Sequence, residues 1–245
     1  MQLHGFPQRD EVLWALVPVK PLAQSKQRLR ECLGEHRPGL SLAMLGDLLE
    51  ALVASREINR IAIVTADEQV RELARAHGVL LVEEPNPGRM NRAIGMGVEA
   101  IRAAGGTQVA IFPADLPLAS GEEIDRVVRA LRARQAVAEQ RLVGICPAAD
   151  RGGTNMLCVA TEPAFPLRYG PGSYERHRQA ALEAGCHAET LTSEAISLDI
   201  DTRTDLDEFI ARCARDAGCR RSRTWRFLLE SGYVDPAGPR RRMKG

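Results

Sequence analysis

The feature that most constrains this chain is a repeated change of hydrophobic period. Four short apolar runs, "VLWALVPV" (12–19), "RIAIVT" (60–65), "VLLV" (79–82) and "QVAIF" (108–112), alternate with stretches whose apolar residues recur every three or four positions. Leu45, Leu48, Leu49 and Leu52 mark a helix near 40–54, and Val70, Leu73, Ala74 and His77 mark the next. Ile94, Val98 and Ile101 mark a third, and Ile124, Val127, Val128 and Leu131 a fourth. Short continuous apolar runs of this kind read as strands buried on both faces. Strands that alternate with helices pair in parallel through crossovers. The pattern therefore predicts an α/β fold, a mostly parallel sheet sandwiched by helices.

The second half departs from the alternation. "RLVGICP" and "NMLCVA" follow one another across the loop "AADRGGT", which predicts an antiparallel element and so a mixed sheet. "YGPGSYERHRQAALEAG" reads as a glycine turn into a helix, "ISLDI" (196–200) as a late strand, and Thr204 as the start of a last helix carrying Leu206, Phe209, Ile210 and Cys213. Ser120 with Glu123 has the S-x-x-E spacing of a capping box. From 219 onward the chain is rich in arginine and ends in Pro and Gly, which predicts one domain over 1–218 and a basic appendage or partly disordered tail over 219–245.

Charge and composition exclude several classes. With 33 Lys+Arg against 32 Asp+Glu there is no bulk field for nucleic acid or an anionic membrane. Aromatics at 4% are too few for base-stacking platforms. No apolar run approaches the roughly 18 residues of a membrane span, and "MQLHGFPQRDE" lacks the pattern of a signal peptide. The six cysteines, at 32, 146, 158, 186, 213 and 219, form no C-x-x-C pair, so reduced thiols in a cytoplasmic protein are expected.

Ligands of open α/β sheets bind beyond the carboxyl ends of the strands. The polar residues expected there are Lys20, Lys26 and Arg28 after the first strand, Asp67 after the second, Asp115 after the fourth, and Asp199 and Asp201 in "SLDIDT". The two carboxylates of D-x-D on extended backbone point to one side. With Asp115 they offer three hard oxygen donors, a set that suits Mg²⁺ beside substrate phosphates. Each Asp taken singly also suits a turn or helix cap, Asp201 before Thr204 and Asp115 before Ser120, and Asp67 reads as a cap. The three cations suit phosphate, although no P-loop motif is present. "GMG" (95–97) lies inside a helical pattern and is not a dinucleotide fingerprint. "RGGTN", with Thr154, and "YGPGS", with Gly170, Gly172 and a helix-capping Ser173, resemble anion cradles. Asn91 stands at a helix start, and His177 reads as a surface or packing residue.

"VPVKPLAQSKQRL", "GRMNRAI", "FPADLPL", "GGTNML", "YGPGSYERH" and "LDIDTRTDL" come in the order and spacing of one family. The chain resembles the guanylyltransferases of coenzyme F(420) biosynthesis, which act on 2-phospho-L-lactate, phosphoenolpyruvate or 3-phospho-D-glycerate. Met90 stands where that pattern has Leu, Tyr169 where it has Phe, and the loop before "GGTN" is shorter. The resemblance implies a nucleotidyltransferase fold of the glycosyltransferase-A type, with GTP and a small phosphorylated acid as partners and Mg²⁺ held by Asp115, Asp199 and Asp201. It further implies that Lys20, Lys26 and Arg28 offset triphosphate charge in catalysis and nucleotide binding together with Asn91. Thr154, Gly170 and Ser173 would hold the acid. A homodimer is compatible with it, and the product would pass to a downstream transferase. The rivals are a nucleotidyltransferase for molybdopterin or a sugar phosphate, whose glycine-rich first loop is missing here, and a non-catalytic nucleotide-binding regulatory module.

Overall fold

The structure, a computed structural model, describes residues 12–85 and 87–235. Seven strands form one sheet: β1 (Leu13–Val19), β2 (Arg60–Thr65), β3 (Leu80–Glu83), β4 (Gln108–Ile111), β5 (Leu142–Pro147), β6 (Thr154–Ala160) and β7 (His187–Thr190). Their spatial order is β3-β2-β1-β4-β6-β5-β7. Among these strands only β6 runs antiparallel to its neighbours, β4 and β5; every other pairing is parallel. The helices are α1 (Arg30–Leu33), α2 (Arg37–Ala54), α3 (Glu68–Ala76), α4 (Met90–Ala103), α5 (Gly121–Gln135), α6 (Ser173–Glu183), α7 (Glu194–Ser197), α8 (Arg203–Arg215) and α9 (Arg223–Glu230).

The alternation of side chains along a strand explains the two apolar layers. Leu13, Ala15, Val17 and Val19 of β1 join Leu45, Leu48, Leu49 and Leu52 of α2, Val70 and Ala74 of α3, and Ile124, Val127, Val128 and Leu131 of α5. Trp14 and Leu16 face the other way, onto Ala93, Ile94 and Ile101 of α4 and Tyr174 and Ala181 of α6. Burying each such leucine fully contributes about 1.5–3 kcal/mol. The four parallel strands expected from the first half are present within one or two residues of their expected ends, and the antiparallel element is β6 beside β5.

Several local expectations change. "ISLDI" is not a strand: Ile196 and Ser197 belong to α7, and the residues after them run extended without joining the sheet. The late strand is β7 instead, whose mixed sequence HAET hides it from a hydrophobic period. The helix expected from Thr204 begins one residue earlier, because Thr202 caps it in a full capping box with Asp205. Ser120 accepts from the Glu123 backbone, but the Glu123 carboxylate is taken by Arg126 and Ser193, so only half of that box forms. Asp67 caps α3 as read. A disulfide joins Cys213 to Cys219, six positions apart, where free thiols were expected; the turn between α8 and α9 brings them together.

Residues 219–235, within the stretch read as an appendage, pack on the body. Trp225, Leu228 and Val234 share a third apolar cluster with Leu40 and Met44 of α2 and with Leu206, Phe209 and Ile210 of α8. The buried Asp47 carboxylate of α2 accepts from the backbone N–H groups of Arg223 (2.6 Å) and Thr224 (2.9 Å), capping α9 from outside its own chain segment. The rest of that stretch, 236–245, the N-terminal residues read for a signal peptide, and Asn86 of the "EEPNPG" loop lie outside the described residues.

Of the two "GMG" glycines, Gly97 has a packing role. A Cβ on Gly97 would lie 2.5 Å from Leu16 Cδ1 and 2.7 Å from Val64 Cγ2, so the missing side chain lets α4 close on β1 and β2. Gly95 meets nothing within 4 Å. Alanine is the better helix former by roughly 1 kcal/mol. Gly95→Ala should therefore stabilise by up to that amount, whereas Gly97→Ala should destabilise by about 1–3 kcal/mol through overpacking. Urea unfolding of both variants decides; a Gly97→Ala protein as stable as Gly95→Ala removes the packing explanation.

Candidate active site at the carboxyl edge of the sheet

The chain leaves β1 at Lys20 and folds into two 3₁₀ turns, Leu22–Gln24 and Gln27–Leu29, that lie along the carboxyl edge. Asp67, besides capping α3, accepts from the Leu22 N–H at 2.8 Å and so ties this loop to the end of β2. Lys26 opens the second turn at φ 49°, in the left-handed region that a non-glycine residue seldom adopts. Its side chain is buried, and its ammonium bonds Asp115, just beyond β4, and Asp201 Oδ1 at 3.0 Å. Burial pulls the Lys26 pKa down, but the two carboxylates outweigh it and hold the ammonium charged, above its ordinary value. Burial likewise raises Asp201, yet Lys26, Arg28 and Lys20 together keep it below the usual carboxylate range. Arg28 reaches Asp201 at 3.8 Å from a largely exposed position.

Asp199 arrives from the same segment but has a different environment. Burial first, then the nearby Asp115 carboxylate, push it up to about 6, against a hydrogen bond from Asn155. Asn155, buried near the start of β6, explains why the segment is not a strand. Its Nδ2 donates to the carbonyls of Ile196 (2.9 Å) and Ser197 (3.1 Å) and to Asp199 Oδ1 (3.0 Å). The Ile200 N–H donates to the Asp115 carbonyl at 3.2 Å, completing the attachment. A side chain and a turn thus take the bonds that a strand ladder would supply. The D-x-D still converges on Asp115.

A divalent cation can be tested against these groups. Asp115 Oδ2 is paired with Lys26, but its Oδ1 is buried with no hydrogen-bond partner, and the Asp115 charge still pushes Asp199 up, so one lysine does not fully neutralise this pair. One or two carboxylates are what Mg²⁺ takes when phosphates supply further oxygens. The three aspartates do not form a closed cage: among the described residues no group of three or more His, Cys, Asp or Glu side chains is arranged for a metal. Lys26 bonds both Asp115 and Asp201, and Arg28 reaches Asp201 as well, which leaves Asp115 Oδ1 and Asp199 as the oxygens without a cationic partner. Asp115 and Asp199 fit a hard cation; Asp201 in this arrangement serves the lysine.

On the other side of the edge, Thr154 begins β6 and Ser173 begins α6. Ser173 is not the cap expected: Gly172 takes that position at φ 70°, and Ser173 Oγ donates to Thr154 Oγ1 at 3.2 Å. Gly170 sits at φ 121° in the preceding turn. This turn is pinned from three directions. Asn91, on the first turn of α4, accepts from the Tyr169 N–H (2.8 Å) and donates to the Tyr169 carbonyl (3.2 Å). Arg176 donates to the same carbonyl at 2.8 Å. The Arg168 N–H donates to His177 Nε2 at 3.0 Å. Asn91 is thus a clamp on the turn in this arrangement, and His177, read as surface or packing, is a buried hydrogen-bonded residue. Tyr169 carries a buried hydroxyl with no partner at a position where the family pattern has Phe. The large cavity of about 750 Å³ near Arg126, Ala149 and Arg212 is not this site, since none of Lys26, Asp115, Asp199 or Asp201 lines it.

A family model described as "Guanylyl transferase CofC like" matches residues 13–224. The chain belongs to this family. A phosphoenolpyruvate guanylyltransferase of Sphaerobacter thermophilus is 32% identical over 195 residues, covering 79% of this chain and 90% of the relative. A 2-phospho-L-lactate guanylyltransferase of Methanothermobacter thermautotrophicus is 32% identical over 80% and 83%. A 3-phospho-D-glycerate guanylyltransferase of Phenylobacterium zucineum is 30% identical over 82% and 91%. Among solved structures, a protein of Desulfovibrio desulfuricans assigned as a nucleotide-diphospho-sugar transferase superposes with a TM-score of 0.69 at 19% identity, over 91% of this chain and 96% of that one. Seven strands in this order, with helices on both faces, make this member of the guanylyl transferase family an enzyme of nucleotidyltransferase fold.

Burial first, then Arg176 and Arg168, hold the His177 pKa down to about 4. The unfolded chain therefore takes up a proton that the folded chain refuses. The stability this neutral ring contributes is complete above about pH 6.5 and is lost as pH falls toward 4, by up to roughly 3 kcal/mol. Urea unfolding at pH 7 and at pH 4.5 should show a smaller acid loss in His177→Asn than in wild type. Equal losses would mean that His177 does not titrate in this way.

Proposed function

We propose that this enzyme transfers GMP from GTP to the phosphate of a three-carbon phospho-acid, releasing diphosphate, as a step of coenzyme F(420) biosynthesis. The acceptor is phosphoenolpyruvate, 2-phospho-L-lactate or 3-phospho-D-glycerate, the acids for which its relatives are named. The observation that carries this reading is the junction of Lys26 with Asp115 and Asp201, next to the start of β6 and α6.

An acceptor phosphate oxygen attacks the α-phosphorus of GTP. The new P–O bond forms as the bond from the α-phosphorus to the bridging oxygen breaks, and diphosphate carries that electron pair away. A phosphate monoester has its second pKa near about 6 and is mostly dianionic at neutral pH, so the chain need not supply a base. Its task is to bring two anions together. Lys20, Lys26 and Arg28 offset triphosphate charge, and Asn91 holds the start of α4 against the turn beside the nucleotide. Thr154, Gly170 and Ser173 hold the acid at the first turn of α6, where free N–H groups and the helix dipole favour an anion. Mg²⁺ on Asp115 and Asp199, with Asp201 the third carboxylate of the set, would supply Lewis-acid neutralisation of the phosphates. In the same reading the enzyme is cytoplasmic and its product passes to a downstream transferase.

Two measurements check this. Diphosphate release from GTP should depend on one of the three phospho-acids and not on a sugar 1-phosphate; the opposite preference favours the sugar-nucleotide rival. Asp115→Asn should lower turnover by about a thousandfold or more in a protein that still folds cooperatively, with a melting temperature lowered because buried Lys26 loses one of its two carboxylate partners. Wild-type-like turnover in this variant would sink the assignment of Asp115 to the metal.

A further inference from the structure

His177 has no part in the reaction so far, yet its bonds are the most closely determined in the acceptor cradle. It is fully buried on α6. The Arg168 backbone N–H donates to Nε2 at 3.0 Å. A backbone N–H can only donate, so Nε2 must present its lone pair, and the neutral ring carries its hydrogen on Nδ1. Nδ1 lies 3.0 Å from Thr154 Oγ1 and therefore donates to it. Ser173 Oγ donates to the same oxygen at 3.2 Å. A hydroxyl oxygen has two lone pairs and one hydrogen. Both pairs are filled, and among the described residues Thr154 Oγ1 makes no third bond. Among the described residues its own hydrogen has no acceptor.

We propose that His177 is a positioning residue: by filling a lone pair of Thr154 Oγ1 it makes the Thr154 hydroxyl an obligate donor, directed to an oxyanion of the phosphorylated acid. The inference rests on the reading of Thr154 as an acceptor-binding residue. It adds a specificity. An unrestrained threonine can accept as well as donate, but this one can only donate, so it favours a group made of acceptors, a phosphate or carboxylate oxygen, over an alcohol. The parts that orient His177 are themselves held. The Asn91 clamp fixes the Tyr169 backbone next to the Arg168 N–H, and the Tyr169 ring meets the imidazole edge-on with centroids 4.7 Å apart. A chain of fixed bonds thus runs from the start of α4 to the Thr154 hydroxyl.

The test is steady-state kinetics of the full chain with GTP and the phospho-acid that supports turnover. His177→Leu, which cannot donate, should raise KM for the acid at least tenfold and leave KM for GTP within twofold. His177→Asn, which keeps a donor near the place of Nδ1, should recover to within threefold of wild type. In a Thr154→Val background His177→Leu should add less than twofold, because the hydroxyl it orients is gone. A purely structural role would instead move both KM values, or persist without Thr154, and either result overturns the proposal. Should His177→Leu fail to fold, imidazole ¹⁵N shifts of wild type decide alone: a hydrogen on Nε2 overturns the proposal and one on Nδ1 supports it. Wild type inactive with all three phospho-acids would overturn the acceptor reading and this inference together. An active wild type with an unchanged acid KM in His177→Leu overturns this inference alone.

Discussion

The site depends on one buried cation. Lys26, Asp115 and Asp201 come from three distant parts of the chain, the loop after β1, the turn after β4 and the approach to α8. Taking the Lys26 ammonium and much of the Asp115 carboxylate out of water costs several kcal/mol per ion when complete, and close, hydrogen-bonded pairing, here joined by the half-exposed Asp201, has to offset it. The structure meets that condition and accepts a left-handed backbone at Lys26 to do so. Strain of this kind persists only where surrounding contacts determine it, and it gathers at functional sites. The consequence is a division among the aspartates. Asp201 is neutralised by the protein, while Asp115 keeps one oxygen without a partner and Asp199 is left close to a like charge. Under the proposed function, a cation brought by a nucleotide would meet the free oxygen of Asp115 and the Asp199 carboxylate, beside a lysine already held in place.

Much of this was legible in the sequence, and the legible parts share a physical reason. Buried parallel strands are continuous apolar runs, and helices against them carry a stripe of period 3.6, so β1, β2, β3, β4 and α2 to α5 could be read to within a few residues. Asp199 and Asp201 do lie near Asp115, but not for the reason read, since "ISLDI" is no strand and Asn155 and the Asp115 carbonyl hold the segment instead. What could not be read depends on side chains acting at long range. Asn155 takes the carbonyls of Ile196 and Ser197, and nothing in "ISLDI" itself says that its ladder bonds are replaced. Asp47 caps α9 from nearly the whole chain away, so an arginine-rich segment with a narrow apolar stripe, Trp225 and Leu228, reads as an appendage. His177 looked inert because a single His on a helix says nothing of the turn that folds back over it.

The two halves of the edge are built differently. The loop after β1 carries Lys20, Lys26 and Arg28, of which Lys26 is buried and pinned by two carboxylates while Arg28 is largely exposed. The other half carries hydroxyls and the start of a helix, neutral donors in fixed positions, held by Asn91, Arg176 and His177. Under the proposed function the first half would take the triphosphate and the second the acid. A small acid offers little surface for affinity, so discrimination has to come from donors that cannot rearrange. Cations on one side, one of them fixed by carboxylates, and fixed dipoles on the other would suit a reaction whose main barrier is the approach of two anions.

The antiparallel strand is what brings those halves together. In a wholly parallel sheet each strand delivers only its last residue to the carboxyl edge, and the next loop must carry everything else. β6 runs the other way, with Ile111 of β4 opposite Leu157, so its beginning rather than its end lies beside the turn that carries Asp115. Thr154 and Asn155 therefore reach the edge from inside the sheet, fixed by ladder bonds rather than by a loop. Asn155 can then hold the D-x-D segment, and Thr154 can meet α6, from adjacent positions on one rigid element. The break in alternation that first set the second half of the sequence apart is thus the structural reason that Thr154 with the start of α6 and Asp199 with Asp115 share one edge.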